Sequence, residues 1–242
     1  MRFFIPGMPS SHAEITLPDA VSHHLVKVLR SEVGTRFTLF NGQGGAYAAE
    51  LIEAGKKTAR ARLLEFFPDD HESPLHTHLG QVMSRGERMD YAIQKATELG
   101  VSVITPLSSE RCELKLRGEE RADKKLEHWR NIAISACEQC GRNRLPVINP
   151  PLSLSEWLQQ VDCASRWVLA PSVQGGPAPV LPAPASVALL IGPEGGLSEA
   201  EIQQARGAGF KPWQLGPRVL RTETAPVAAL AVLQLLYGDF SR

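Results

Sequence analysis

Two loops in the last quarter of the chain constrain its fold most. Ile191-Gly192-Pro193-Glu194-Gly195-Gly196-Leu197-Ser198 and Leu215-Gly216-Pro217-Arg218-Val219-Leu220-Arg221-Thr222-Glu223-Thr224-Ala225 each follow a short apolar run, and each lead into a helical pattern. The run before the first loop, Val187 to Ile191, is continuously aliphatic and of strand length, as a strand buried on both faces of a parallel sheet should be. Ligands of such sheets bind at the carboxyl ends of the strands. Glycines at 192, 195 and 196 let the backbone approach a ligand and take positive φ where needed, and Pro193 stiffens the entry. Ser198 with Glu201 makes a capping box opening a helix from Glu199 to Ala208, so the loop ends on unpaired N–H groups.

Phosphate is the first ligand to test against that loop. A Walker loop ends in Gly-Lys-Ser/Thr, and here the equivalent residues are Gly196-Leu197-Ser198, so the lysine is missing. The dinucleotide fingerprint needs a different glycine spacing, and Glu194 would face the pyrophosphate. Ordinary strand-to-helix turn chemistry would account for one such loop. Two of them about twenty residues apart point to a site. The second carries Arg218, Arg221, Thr222, Glu223 and Thr224 ahead of a helix, Val227 to Leu236, that is apolar nearly all round and is expected to be buried.

Upstream, residues 1–72 read as short strands (Arg2 to Ile5, Phe37 to Phe40, Tyr47 to Ile52, Thr58 to Phe66) separated by glycine-rich turns. This is the pattern of a small β-barrel of PUA or OB type. A helical piece around His24 and Val28 interrupts it, with Ser22 as its expected N-cap. Pro68 to Pro74 reads as a linker. Residues 73–242 then alternate strands and helices, the signature of an α/β domain with a mainly parallel sheet. Its helices include one from Asp123 to Cys140 with Leu126, Trp129, Ile132, Ala133, Ala136 and Cys137 on one face, and one boxed by Ser153 and Glu156.

The strings "GPEGGLS" and "LGPRVLRTETA", with "QKATELGV" (Gln94 to Val101), Arg111-Cys112, "EQCGR" (Glu138 to Arg142) and "HHLVKVLR" (His23 to Arg30), resemble the ribosomal RNA small-subunit methyltransferase E family of SPOUT-class methyltransferases. The resemblance covers nearly the whole chain. It implies a C-terminal parallel-sheet domain with a trefoil knot, S-adenosylmethionine as cofactor, and methylation of a uridine N3 in 16S ribosomal RNA or the assembled small subunit. It also implies a homodimer. Cofactor contacts are expected from Ala170, Pro171, Gly192, Gly195, Leu215, Gly216, Leu220, Thr222 and Ala225, and catalytic roles from Arg221, Glu138 and Arg142. RNA contacts are expected from His23, His24, Arg30 and Arg111. A ribose 2′-O-methyltransferase, or an RNA-binding assembly factor without turnover, fits the residues by themselves equally well.

Charge narrows how RNA can be held. Lys and Arg equal Asp and Glu at 26 each, so no global field draws the chain to nucleic acid, and any contact must be a local patch. The segment from Arg111 to Arg144 holds nine of the basic residues, diluted by acidic ones. No apolar run approaches the roughly 18 residues of a membrane span, and Arg2 to Pro6 does not read as a secretory leader, so a cytoplasmic location and no membrane partner are expected. Four cysteines fit a reducing compartment. Cys137 and Cys140 have CxxC spacing without a second ligand pair, and no metal is expected.

Overall fold

A computed structural model describes residues 1–8, 13–55, 58–69, 71–114, 118–170, 175–177 and 182–241. The chain forms two compact units, Met1–Glu72 with Cys137–Leu145, and Ser73–Ala136 with Pro146–Arg242.

The first unit contains β1 (Arg2–Phe4), β2 (Glu14–Thr16), α1 (Asp19–His23) running into a π-helical turn (His24–Val28), β3 (Arg36–Phe40), β4 (Ala46–Ala54) and β5 (Ala59–Phe67). The strands pair in the order β1-β3-β4-β5-β2, with β1 parallel to β3 and the other pairs antiparallel. Among the described residues, the order begins with β1 and ends with β2. Alternation along β5 turns Ala59, Ala61 and Leu63 into a core with Phe3, Leu17, Leu25, Leu39 and Leu51. Ser22 is not an N-cap, because α1 starts three residues earlier. Its buried hydroxyl instead donates to Leu17 O and accepts from Ala59 N, at 3.1 Å each, tying the helix to β5.

The second segment of this unit, Cys137–Leu145, is fixed by polar contacts. Glu138 Oε1 accepts from Phe4 N at 2.9 Å and Arg2 donates to Gly141 O at 3.0 Å. Asn143 Nδ2 donates to Asp69 O at 2.6 Å. Arg142, only 5% exposed in its side chain, holds Glu72 by two parallel bonds of 2.8 and 2.7 Å. Such bidentate geometry is the strong form of the ion pair. The sequence pattern alone assigns these residues to the following domain.

The second unit contains β6 (His76–Val82), α2 (Glu87–Glu98), β7 (Val103–Ser108), most of α3 (Glu119–Cys140), β8 (Val147–Ile148), β9 (Leu152–Ser153), α4 (Leu154–Gln160), β10 (Ser165–Leu169), β11 (Ser186–Ile191), α5 (Glu199–Gly207), β12 (Lys211–Trp213) and α6 (Thr224–Tyr237). The sheet runs β12-β10-β11-β6-β7-β8, with β9 also on β7, and every pair is parallel. Capping boxes at Ser153–Glu156 and Ser198–Glu201 open α4 and α5, as the sequence pattern predicts. β12 contains Pro212 and sits at the sheet edge, where a missing N–H is tolerated.

A glycine decides one helix contact. A Cβ on Gly80, in the middle of β6, would lie 2.5 Å from the Trp157 ring of α4, so only glycine lets that ring close on the strand. Trp157 Nε1 in turn donates to His78 Nε2 at 3.1 Å, and Thr105 Oγ1 lies 2.8 Å from the same nitrogen. Burial, with His76 nearby, pushes the His78 pKa down to about 4, so the imidazole stays neutral and accepting.

The unfolded chain takes up that proton near the ordinary value of about 6.5. Between these two pKa values the unfolded state binds more protons, and stability falls as pH drops, by at most about 1.4 kcal/mol per pH unit. Urea unfolding at about pH 7 and about pH 5 should show a loss of roughly 1–2 kcal/mol in wild type that is absent in His78→Gln. Parallel pH dependence in the two proteins would contradict this account.

Helix α6 differs from expectation. Ala225, Pro226, Ala229, Leu230, Leu233 and Gln234 are buried, but Leu235 is 56% exposed and Val227, Ala228, Ala231 and Val232 are half-buried. A helix packed on α2 and β11 covers one face only, so uniform apolarity leaves the other face open.

Candidate active site

The two glycine-proline loops meet in the second unit around a cavity of about 820 Å³, at the carboxyl ends of β10, β11 and β12. Its size lies within the range of small-molecule sites. Ala170, Gly192, Gly195, Leu215, Gly216, Leu220, Thr222 and Ala225 all line it, as does Arg221. Pro171 lies outside the described residues.

The loops are tied together from beneath. Thr222, 6% exposed, donates its hydroxyl to Gly192 O at 2.8 Å and accepts from Gln81 Nε2 at 3.1 Å. Gln81 is fully buried near the end of β6 and also donates to Val82 O. One side chain of the second loop thus fixes the backbone of the first, and a glutamine on the central strand fixes that side chain. Gln81 carried a readable signal: it is the one amide in the apolar run Leu79 to Met83.

Two arginines hold the first loop from the side. Arg88 of α2 pairs with Glu194 at 2.7 Å, and this carboxylate keeps the exposed guanidinium's pKa raised. Arg111 Nη1 donates to Gly195 O at 2.9 Å and lines the cavity, so its place is beside the glycine loop. No pattern in the sequence marks Arg88.

The glycine requirements are redistributed. Positive φ occurs at Gly196 (68°) and Gly216 (69°), not at Gly192 or Gly195. A Cβ at Gly195 would make ordinary contacts of 3.6 Å with Arg111, whereas at Gly192 it would press on Leu197 Cγ and N at 3.0 and 3.1 Å. Close packing therefore fixes Gly192 and backbone sign fixes Gly196.

Glu138 and Arg142 belong to the first unit. There Glu138 Oε1 accepts from Phe4 N and the Arg142 guanidinium holds Glu72. His23 and Arg30 are exposed on the first unit, and His24 sets its ring edge-on to Phe3 at 5.6 Å. Arg30 leaves the π-helical turn with φ of 52°, a conformation costly for a non-glycine residue. Among the described residues no group of three His, Cys, Asp or Glu side chains gathers as a metal site. Cys137 is buried, which pushes its thiol up to about 12, and it donates to Arg144 O.

Comparison with known proteins identifies this arrangement. The family model described as an RNA methyltransferase domain matches residues 71–234, and that of an RNA methyltransferase PUA domain matches residues 17–64. The ribosomal RNA small subunit methyltransferase E of Buchnera aphidicola subsp. Schizaphis graminum is 39% identical over 99% of this chain and 98% of its own length. The chain belongs to the ribosomal RNA small subunit methyltransferase E family. The Bacillus subtilis member of that family is 33% identical over 90% of each chain. The family member from Neisseria gonorrhoeae, solved bound to S-adenosyl methionine, superposes with a TM-score of 0.91 at 40% identity, covering 99% of this chain and 98% of that one. A Legionella pneumophila protein solved with the bound cofactor SAM gives 0.94 at 42% identity, with coverage of 99% and 98%. In this family member, then, the parallel sheet presents the two loops and a PUA-type unit accompanies them.

Proposed function

We propose that this chain is an S-adenosylmethionine-dependent methyltransferase acting on N3 of a uridine in 16S ribosomal RNA. One observation carries the reading: eight residues expected at the cofactor, from three separate stretches of sequence, line a single cavity at the carboxyl edge of a parallel sheet. The cavity fits the cofactor chemically. Ile191, Leu197, Leu215 and Leu220 offer apolar walls to a purine ring, while the glycine loops expose backbone to polar groups. When bound, the cofactor supplies a methyl group already activated for displacement. The chain's task is to hold the acceptor in line and to stabilise the charge that forms on it.

Arg221 lines the cavity with its guanidinium unengaged among the described residues, and its backbone carbonyl accepts from Thr224 N and Ala225 N at 2.9 Å each. That anchoring fixes the main chain while the cationic end stays available to a uridinate oxygen. The trefoil knot and the cytoplasmic location are carried over with this reading. So is the homodimer, for which the half-open apolar face of α6 speaks, since contiguous apolar surface usually marks an interface.

The first unit is assigned to RNA. His23, His24 and Arg30 belong to its exposed turn, next to exposed Val28 and Leu29. Because Arg30 is held at positive φ, Arg30→Gly should relieve backbone strain and gain about 1 kcal/mol of stability. The same change should weaken RNA binding and lower the slope of log affinity against log salt by about 0.7–0.9, the range for one phosphate contact on single strands and duplexes. Thermal unfolding and a salt series on one preparation check both signs, and unchanged RNA affinity would remove Arg30 from the interface.

Mass mapping of small-subunit RNA from cells with and without the gene tests the whole reading. The expected result is loss of one N3-methyluridine, with calorimetry showing S-adenosylmethionine binding to the purified chain. A methyl group missing from a ribose oxygen would make it a 2′-O enzyme. Absence of cofactor binding would make it an RNA-binding assembly factor.

A further inference from the structure

Uridine N3 carries a proton at neutral pH, so transfer to it needs a group that accepts that proton. Apart from four arginines, which cannot serve as ordinary bases, the titratable side chains lining the cavity are Glu194, Glu199 and Glu223. Glu194 is engaged by Arg88 at 2.7 Å, and Glu199 Oε1 accepts from Gln203 Nε2 at 2.9 Å. Glu223 is different. Its Oε2 is buried and has no hydrogen-bond partner among the described residues. It occupies the N-cap of α6, yet its side chain makes no capping bond, so the carboxylate is not spent on the helix. A buried carboxylate oxygen that accepts no hydrogen bond, with the charge of Arg88 as an electrostatic neighbour, is costly unless a ligand completes it.

Resting on the uridine-N3 reading above, we infer that Glu223 is the general base for the acceptor. The N3 proton passes to Glu223 Oε2, and the N3 electron pair forms the bond to the methyl carbon. The bond from that carbon to the sulfonium sulfur breaks with its pair left on sulfur, and the protonated carboxyl later returns its proton to solvent. Arg221, two residues away, faces the charge this leaves on the uracil oxygens. Base and cation thus come from one loop, with Thr222 between them pinned to Gly192 and Gln81.

The test uses the full chain and unmodified small subunits in single-turnover methylation across a pH series, with wild type, Glu223→Gln and Glu223→Asp. Glu223→Gln should lower the rate by about 10²- to 10⁴-fold, with S-adenosylhomocysteine affinity by calorimetry unchanged and RNA affinity by filter binding lowered by no more than about tenfold. Its residual rate should climb steadily with pH where the wild-type rate has levelled off, and Glu223→Asp should recover part of the loss. A binding readout stands apart from turnover. With S-adenosylhomocysteine present, wild type should prefer unmodified RNA over RNA already methylated at N3 by about tenfold, the worth of one hydrogen bond to a charged group, and Glu223→Ala should erase that preference. A Glu223→Gln rate within about threefold of wild type, with N3-methyluridine as product, overturns this inference alone. So does a loss confined to cofactor affinity, or a pH profile parallel to wild type. A wild-type product methylated on a ribose oxygen overturns the substrate reading and this inference with it.

Discussion

Arg221→Lys should cut methyl transfer by about 10²- to 10³-fold, the scale of removing one well-placed oxyanion donor, while leaving RNA affinity within a few-fold. Lysine keeps the charge but replaces a planar fork of donors by a point charge on a flexible stem, so a uridinate oxygen loses directional hydrogen bonds. The main-chain anchor of residue 221, through Thr224 N and Ala225 N, does not depend on the side chain, and the loop should keep its course. An interaction made only as charge develops lowers kcat and kcat/KM together. Rising pH should restore part of the rate, because solvent then shares in removing the N3 proton. Steady-state kinetics over a pH series is the measurement. A defect confined to cofactor KM would show that Arg221 holds the cofactor instead.

The largest effect on stability should come from Arg142, for which the family resemblance also implies a catalytic role. Arg142→Ala leaves the Glu72 carboxylate, itself 21% exposed, without its bidentate partner. Breaking a buried pair by removing one member costs about 3–5 kcal/mol. The loss should appear as a lower urea midpoint for the first unit, together with earlier exchange of backbone amides in residues 137–145. Calorimetric affinity for S-adenosylmethionine should change little. Strong loss of cofactor binding in a folded Arg142→Ala protein would give Arg142 a role at the cofactor as well.

What the sequence made legible follows from how local each signal is. The glycine loops, both capping boxes and the apolar face of α3 rest on spacings of a few residues, and the structure places all of them as read. The strands β2, β8, β9 and β12 are two or three residues long and carry no periodicity to detect. The distant partners of polar residues were opaque for a related reason, even where the residue itself stood out. Arg142 bonds Glu72 across 70 positions and Gln81 bonds Thr222 across 141, and neither side chain announces such a partner. Helix α6 shows the limit of composition: an apolar surface all round does not say which side is covered within one chain.

The make-up of the first unit also governs when it can be completed. Its segments are Met1–Glu72 and Cys137–Leu145, so a growing chain that has delivered every strand of the five-stranded sheet still lacks the residues that satisfy Arg2, the Phe4 amide and Glu72. Domains are usually finished in the order in which they leave the ribosome. Here the amino-terminal module must wait, incomplete, until β6, α2, β7 and nearly all of α3 have been synthesised. Its final closure is therefore an event of mid-translation, and a chain halted before Leu145 carries an N-terminal sheet that nothing has yet locked.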